Sequence, residues 1–220
     1  MAHKVHPKSY RLKRSADWDS RWMSKKNLRN YLQEDFVIRE FLNNRLKEAA
    51  VKSVEIERFP VKVNIIINTA RPGLIIGRGG QGVQELEKAL KKEILRQKLS
   101  TVKNLSRQEL KIEIKEVKNP WTEASIVAQW MAQQIEKRLP HRRVLKQTLD
   151  KVITNKDVKG VRLEVSGRLG GSEFSRSEKL LKGRLPRQTL RSIIDYGTAQ
   201  AYCTYGVIGI KVWIYKGERF

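Results

Sequence analysis

A glycine-rich stretch between a strand pattern and a helix pattern constrains the fold more than any other feature of this sequence. Apolar residues alternate through 61–67, as in a strand, and the pattern stops at Arg71-Pro72-Gly73, because proline removes a hydrogen-bond donor from the sheet. A short apolar turn at 74–76 leads into Gly77-Arg78-Gly79-Gly80, and apolar residues then recur at helical spacing through 83–94. Such a loop lets a phosphate backbone approach main-chain N–H groups beside the positive end of a helix.

The order of strand, apolar anchor, Gly-x-x-Gly loop and helix is the pattern of a KH domain, which clamps about four nucleotides with this loop. We predict that RNA is bound by the loop residues Gly77, Arg78, Gly79 and Gly80. Gly77, Gly79 and Gly82 also fit the dinucleotide-binding fingerprint G-x-G-x-x-G, but that motif follows a strand directly and needs an acid about 20 positions later. Residues 98–103 contain no acid. A third interpretation, a turn that serves backbone geometry alone, stays open.

The charge of the chain narrows the class of partner. Its 46 Lys and Arg residues against 23 Asp and Glu residues give a formal net charge of +23. Such a surplus favours a polyanionic partner, with nucleic acid first and an anionic membrane surface second. No apolar run approaches the length of a transmembrane helix, and no signal-peptide pattern precedes Trp18. We therefore expect a cytoplasmic protein that binds nucleic acid and no membrane.

The sequence shows no recognisable centre for catalysis or metal binding. Its single cysteine, Cys203, cannot form an internal disulfide, and three histidines are too few for a convincing metal site. It contains neither a P-loop motif for nucleotide triphosphates nor a His, Cys or carboxylate cluster with metal-ligand spacing. We therefore expect no enzyme activity, no cofactor and no metal.

The fold class that we predict is α+β, in two domains behind a basic N-terminal arm of residues 1–16. The first domain, 17–118, begins with a helix for which Asp35 is the predicted N-cap. Strand patterns occur at 51–58, 61–67 and 110–114. With the helix at 83–94 they predict a three-stranded sheet backed by helices, the KH type II arrangement, and 96–108 as a helix end and loop.

The second domain, 119–220, is predicted to begin at Asn119-Pro120, which interrupts the preceding strand pattern. Thr122 is the predicted N-cap of its first helix, and Pro140 separates that helix from a second one. Three strand patterns follow, at 160–166, 190–196 and 207–215. The prediction is two helices packed on an antiparallel sheet.

Basic residues mark three candidate surfaces for nucleic acid. At 100° per residue, Arg142, Arg143 and Lys146 fall on one face of the second helix, and Asp150 is the only acid nearby in sequence. Since clustered cations repel each other, we favour binding of a polyanion over a merely solvated face. The arm contributes Lys4, His6, Lys8, Arg11, Lys13 and Arg14, and the second domain contributes Arg162, Arg168, Arg176, Arg184 and Arg187.

Four segments resemble a known family. They are Lys4-Val5-His6-Pro7, the block 69–80, the run Val165-Ser166-Gly167-Arg168-Leu169-Gly170-Gly171 and the run 205–214. Across nearly the whole chain the sequence resembles bacterial ribosomal protein S-three of the small subunit. The resemblance implies a place in the head of that subunit, bound to small-subunit rRNA, with one face along the mRNA entrance channel. It also implies ribosomal proteins S-ten and S-fourteen as neighbours, with S-two as a further candidate.

The same resemblance assigns roles to particular residues. Arg142, Arg143 and Lys146 match the family's basic cluster on the path of incoming mRNA, which implies a role in separating mRNA base pairs. The cations of the arm and of the second domain become candidate rRNA contacts. In relatives the glycine loop often carries two cations, whereas one of these positions is Gly79 here. A nucleic-acid-processing enzyme and a free KH-type regulator of single-stranded RNA are the alternative functions.

Overall fold

The computed structural model describes residues 5–12, 17–60, 62–98 and 109–219. The chain divides into two compact units, Trp18–Lys118 and a second that joins Met1–Asp17 to Asn119–Phe220. The short helix α1 (Pro7–Tyr10) therefore belongs to the second unit. The first unit contains β1 (Ser20–Arg21), α2 (Leu28–Arg45), β2 (Val51–Arg58), β3 (Lys62–Thr69), α3 (Pro72–Ile76), α4 (Gln81–Lys98) and β4 (Glu109–Glu116). The second unit continues with α5 (Ala124–Glu136), α6 (His141–Ile153), β5 (Gly160–Gly167), β6 (Arg176–Gly183), β7 (Ser192–Cys203) and β8 (Gly206–Glu218).

The sheet of the first unit has the strand order β1-β2-β3-β4. β2 and β3 are antiparallel, whereas β3 and β4 run parallel, with α3 and α4 between them in the chain. The alternation seen in the sequence is confirmed, since Val63, Ile65 and Ile67 all lie in the core with residues of α2 and α4. The two-residue strand β1, parallel to β2, adds a fourth strand to the three that we predicted. It is too short to show a periodic pattern.

The first long helix begins at Leu28, not at Asp35 as we predicted. Asp35 lies inside α2, is only 1% exposed, and accepts hydrogen bonds from the Trp22 indole N–H (2.8 Å) and the Ser20 hydroxyl (2.8 Å). Its carboxylate also pairs with the guanidinium of Arg58 on β2. These partners compensate the charge of the buried carboxylate. Asp35 can therefore lie inside the helix, at the position where we had predicted an N-cap.

The second unit has an antiparallel sheet in the order β6-β5-β8-β7, and α5 and α6 share one hydrophobic core with it. The predicted α+β class is thus confirmed. We missed β6, since its residues are mostly exposed and its two leucines are adjacent rather than alternating. We also ended β7 at Tyr196, although it continues to Cys203. The extension, Gly197 to Cys203, is rich in small residues with low strand propensity, and its pairing with β8 compensates for that.

The N-terminus of α5 is capped from a distant strand rather than by Thr122. The Ala124 N–H donates to Asp195 Oδ2 on β7 (2.6 Å), while Thr122 donates its own hydroxyl to the Asn119 carbonyl (2.8 Å). Asp195 also pairs with Lys8 of α1 (3.1 Å). Burial alone would raise the pKa of Asp195, but Lys8, the Ala124 N–H and Lys216 hold it below its ordinary value. The N-terminal arm and the start of α5 are therefore joined through one carboxylate.

Candidate nucleic-acid interface

The glycine loop between α3 and α4 has an unusual backbone and an open outer side. Gly77, Gly79 and Gly80 have φ values of 67°, 58° and 79°, in the left-handed region that other residues rarely adopt. A Cβ atom placed on Gly79 or Gly80 would meet no atom within 4 Å. Arg78 is exposed between them. The loop therefore leaves the backbone at Gly79 and Gly80, and one cation, open to a partner that approaches from outside.

Gly82 serves the packing of two helices. A Cβ atom at this position would lie 2.6 Å from the Ile75 carbonyl oxygen and 2.9 Å from the Ile76 carbonyl oxygen. The start of α4 therefore crosses the end of α3 at a distance that only glycine permits. Because α3 separates the glycines from β3, the loop also lacks the direct strand-to-glycine connection of a dinucleotide site.

We expect Gly82→Ala to destabilise the first unit by about 1–3 kcal/mol, because an extra methyl group must displace the backbone of α3. The displaced loop should also bind RNA more weakly. Gly73→Ala is a matched control, since a Cβ atom at Gly73 meets nothing within 4 Å. Urea unfolding and RNA titrations of both variants measure the two effects. Equal behaviour of the two variants would mean that the helix crossing is not tight.

The three predicted cations of α6 all lie on its exposed side. Arg142, Arg143 and Lys146 are exposed, while Val144 and Leu145 are buried in the core. The helical projection was therefore right about which face each of them occupies. This exposed surface of Arg142, Arg143 and Lys146 is called the α6 cationic face below.

Folding brings an acid that is distant in sequence, Glu178, to this face, in addition to Asp150. Glu178 on β6 accepts hydrogen bonds from Arg142 Nη2 (3.1 Å) and Arg142 Nε (3.3 Å to Oε2). His141 Nε2 lies 3.2 Å from the same carboxylate. The bond from Arg142 is the main reason that the pKa of Glu178 lies below its ordinary value, and the same bond raises the pKa of Arg142. Arg142 and Glu178 are 36 positions apart in the sequence, so no local sequence pattern predicts that they pair.

The predicted cations of the second unit divide into buried and exposed groups. Arg162 is only 8% exposed, pairs with Glu164 (2.7 Å) and lies over the Trp213 ring at 5.1 Å. Arg168 is exposed, donates from Nε to the Ser172 carbonyl (2.9 Å) and lies over the Tyr205 ring. The remaining predicted contacts, Arg176, Arg184 and Arg187, are exposed. Arg162 thus stabilises the sheet, whereas the other four face outward.

The described part of the arm is docked on its own unit. Arg11 is only 2% exposed, and its Nη2 donates to the carbonyls of Arg187 (2.9 Å) and Thr189 (3.0 Å) and to the Ser192 hydroxyl (3.1 Å). Arg11 therefore holds the loop between β6 and β7.

His6 has an equally internal environment. Its Nδ1 accepts a hydrogen bond from the Lys8 N–H (3.2 Å), and its ring meets Tyr196 edge-on. Partial burial, and then the Lys8 charge, lower its pKa, which favours a neutral ring. Lys8 is paired with Asp195. The other predicted arm contacts, Lys4, Lys13 and Arg14, lie outside the described residues, as do 99–108 of the predicted 96–108 loop.

Among the described residues, no helix combines the length and the apolar character that crossing a membrane requires.

Comparison with known proteins places both units in recognised families. Residues 37–122 match the family model described as "KH domain", and residues 131–214 match "Ribosomal protein S3, C-terminal domain". The chain is 44% identical over 218 residues to small ribosomal subunit protein uS3 of Exiguobacterium sp., covering 99% of this chain and 94% of the relative. It is 43% identical over 219 residues to uS3 of Thermosipho africanus, covering 99% of both chains. The chain belongs to the uS3 family.

Membership in the uS3 family accounts for several features of the sequence. The chain is also 45% identical over 219 residues to small ribosomal subunit protein uS3 of Caldicellulosiruptor bescii. This alignment covers 99% of this chain and 93% of the relative. The similarity therefore includes the glycine loop, α6 and β6 together. The family consists of ribosomal structural proteins rather than enzymes, and RNA binding and translation are the properties that it implies. This agrees with the surplus of positive charge.

Proposed function

We propose that this uS3-family protein is a structural constituent of the small-subunit head that binds small-subunit rRNA and lines the mRNA entrance channel. The observation that carries the mRNA part is the α6 cationic face, where three cations lie side by side above a buried stripe. A rigid helix holds these charges at fixed spacing, as a phosphate backbone requires. A single strand drawn past them would be held while its partner strand separates.

The unwinding that we propose is passive. No P-loop motif occurs in the sequence, so the protein has no recognisable means of using a nucleotide triphosphate. The ribosome's own translocation would supply the work, and the α6 cationic face would stabilise the strand that has just been freed. The protein would accordingly act in the cytoplasm, as part of the ribosome.

The rRNA contacts that we propose lie on the exposed cations and on the glycine loop. Gly77, Arg78, Gly79 and Gly80 would approach an RNA backbone, although a single cation there implies a weaker grip. Arg168, Arg176, Arg184 and Arg187 would contact phosphates, together with Lys4, Lys13 and Arg14 of the arm. Arg11 and Arg162 are assigned to the fold instead, since their guanidinium groups are buried. Lys8 and His6 would lie next to the RNA without being main contacts, because both already have partners within the protein.

The arrangement that we propose has a basic arm (1–16), a KH domain (17–118) and a second α+β domain (119–220). Its neighbours in the head would be ribosomal proteins S-ten and S-fourteen, with S-two as a further candidate. A sucrose gradient separates this assignment from a free KH-type regulator. The proposed protein sediments with the small subunit, whereas a free regulator stays at the top of the gradient.

Replacing Arg142, Arg143 and Lys146 together by alanine should leave the fold intact, because alanine favours helix and no core volume is lost. Mutant subunits should assemble normally and translate unstructured messages at near-normal rates. On a message with a stable hairpin at the entrance side they should stall. Elongation rates on the two messages measure the effect. Equal slowing on both would indicate a general defect, and unchanged hairpin translation would contradict the mRNA role.

A further inference from the structure

Glu178 is a carboxylate from another element, β6, that pairs with a cation of the α6 cationic face. Its side chain is 27% exposed and reaches from β6, the strand at the edge of the sheet, to the first turn of α6. Both Nε and Nη2 of Arg142 donate to it, so the guanidinium meets the carboxylate side-on. Among residues 5–12, 17–60, 62–98 and 109–219, neither Arg143 nor Lys146 forms an ion pair. One cation of the three is therefore already engaged by an internal anion.

An ion pair of this kind is weak enough to exchange. The Arg142 side chain is 74% exposed, and exposed pairs contribute little because water and salt screen them. An RNA phosphodiester carries the same single negative charge as the carboxylate and offers the guanidinium a similar side-on partner. An RNA phosphate that approaches α6 must therefore displace Glu178 before it can use Arg142 fully.

We propose that Glu178 is an electrostatic competitor that limits how tightly the α6 cationic face holds single-stranded RNA. Arg142 exchanges between the Glu178 carboxylate and a passing phosphate, while Arg143 and Lys146 stay available throughout. The α6 cationic face then holds a single strand briefly and releases it, as is needed when mRNA moves through the ribosome during translation. This inference rests on the proposed function of the face in mRNA binding, but the exchange at Arg142 is measurable without the ribosome.

The first experiment measures binding of the full-length protein to a single-stranded oligonucleotide of uridines at fixed salt. Glu178→Gln removes the competing charge and keeps the shape, and the affinity should rise by ~2–5-fold, the range expected for an exposed pair. Glu173→Gln is the matched control, because it removes an exposed acid close by in the chain that has no described ion pair. The control should raise the affinity much less.

A double-mutant cycle decides whether Glu178 acts through Arg142. In an Arg142→Ala background, Glu178→Gln should leave the affinity unchanged, since the competed cation is gone. A gain that persists there, or that Glu173→Gln reproduces, would reduce Glu178 to a general charge effect and overturn the proposal. Weaker binding by Glu178→Gln would overturn it too, because the carboxylate would then orient Arg142 for RNA. No change in affinity would show that no exchange occurs.

A second arm separates this inference from the proposed function. Ribosomes with Glu178→Gln should pause longer on single-stranded message than wild type if the face contacts mRNA. The double-mutant cycle could show the expected coupling while neither Glu178→Gln nor the triple alanine variant changes translation. In that case Glu178 still competes for Arg142, but the RNA that the face binds is not mRNA. Thermal unfolding of Glu178→Gln should match wild type, which excludes a folding defect as the cause.

Discussion

RNA binding by the isolated protein is expected to weaken by about 10³–10⁵-fold between 50 and 200 mM salt, if about 6–10 phosphates are neutralised. The reason is the release of counterions from RNA when cations of the protein replace them. A net charge of +23 makes such a number of contacts available. The measurement is a titration of one RNA fragment at several salt concentrations. A flat response would contradict the electrostatic basis of the interface.

The structure sharpens this experiment by sorting the cations. Replacing exposed Arg187 by glutamine should lower the magnitude of the salt slope by about 0.7–0.9, the share of a single phosphate contact. Lys91→Gln is a control on the other unit, since Lys91 is paired with Glu87 (2.6 Å) along α4. Its slope should stay close to wild type. If both variants lower the magnitude of the salt slope equally, binding depends on the total charge of the protein alone.

Arg58→Met should destabilise the first unit by about 3–5 kcal/mol, the largest stability effect that we expect for one substitution. The Arg58 side chain is only 4% exposed and pairs with Glu34 (2.7 Å) and Asp35, whose side chains are also buried, at 9% and 2% exposed. It also lies over the Tyr31 ring at 4.8 Å. Removing the cation leaves two neighbouring carboxylates in the interior without the positive charge that compensates them.

Arg21→Met provides the comparison on the same sheet. Arg21 pairs with Glu55 and Glu57, but its side chain is 42% exposed, so the expected loss is below about 1 kcal/mol. Hydrogen exchange of the β2 and β3 amides in urea reports on the first unit separately from the second. A loss for Arg58→Met that is no larger than for Arg21→Met would mean that water reaches the carboxylates.

The sequence alone determined the elements that have a periodic pattern and the loop that needs glycine. Alternation predicted β3 and β4, because a strand with one buried face must repeat every two residues. The 3.6-residue repeat predicted α4 and the exposed face of Arg142, Arg143 and Lys146. Left-handed φ values at Gly77 and Gly79 are permitted by residue type, since glycine adopts them at no steric cost. All of these depend on neighbours within a few positions.

Only the tertiary structure decided which charges are internal. Asp35 was predicted as a helix cap and is a buried partner of Arg58, while Arg11 was predicted as an RNA contact and donates instead to the loop before β7. Asp195 caps a helix that begins at Ala124, and Glu178 meets Arg142. Each pair joins residues far apart in the chain. The periodicity of the sequence indicates which face of a helix or strand a side chain occupies. The partner of that side chain depends on how the helices and strands pack together, and no local sequence pattern specifies this packing.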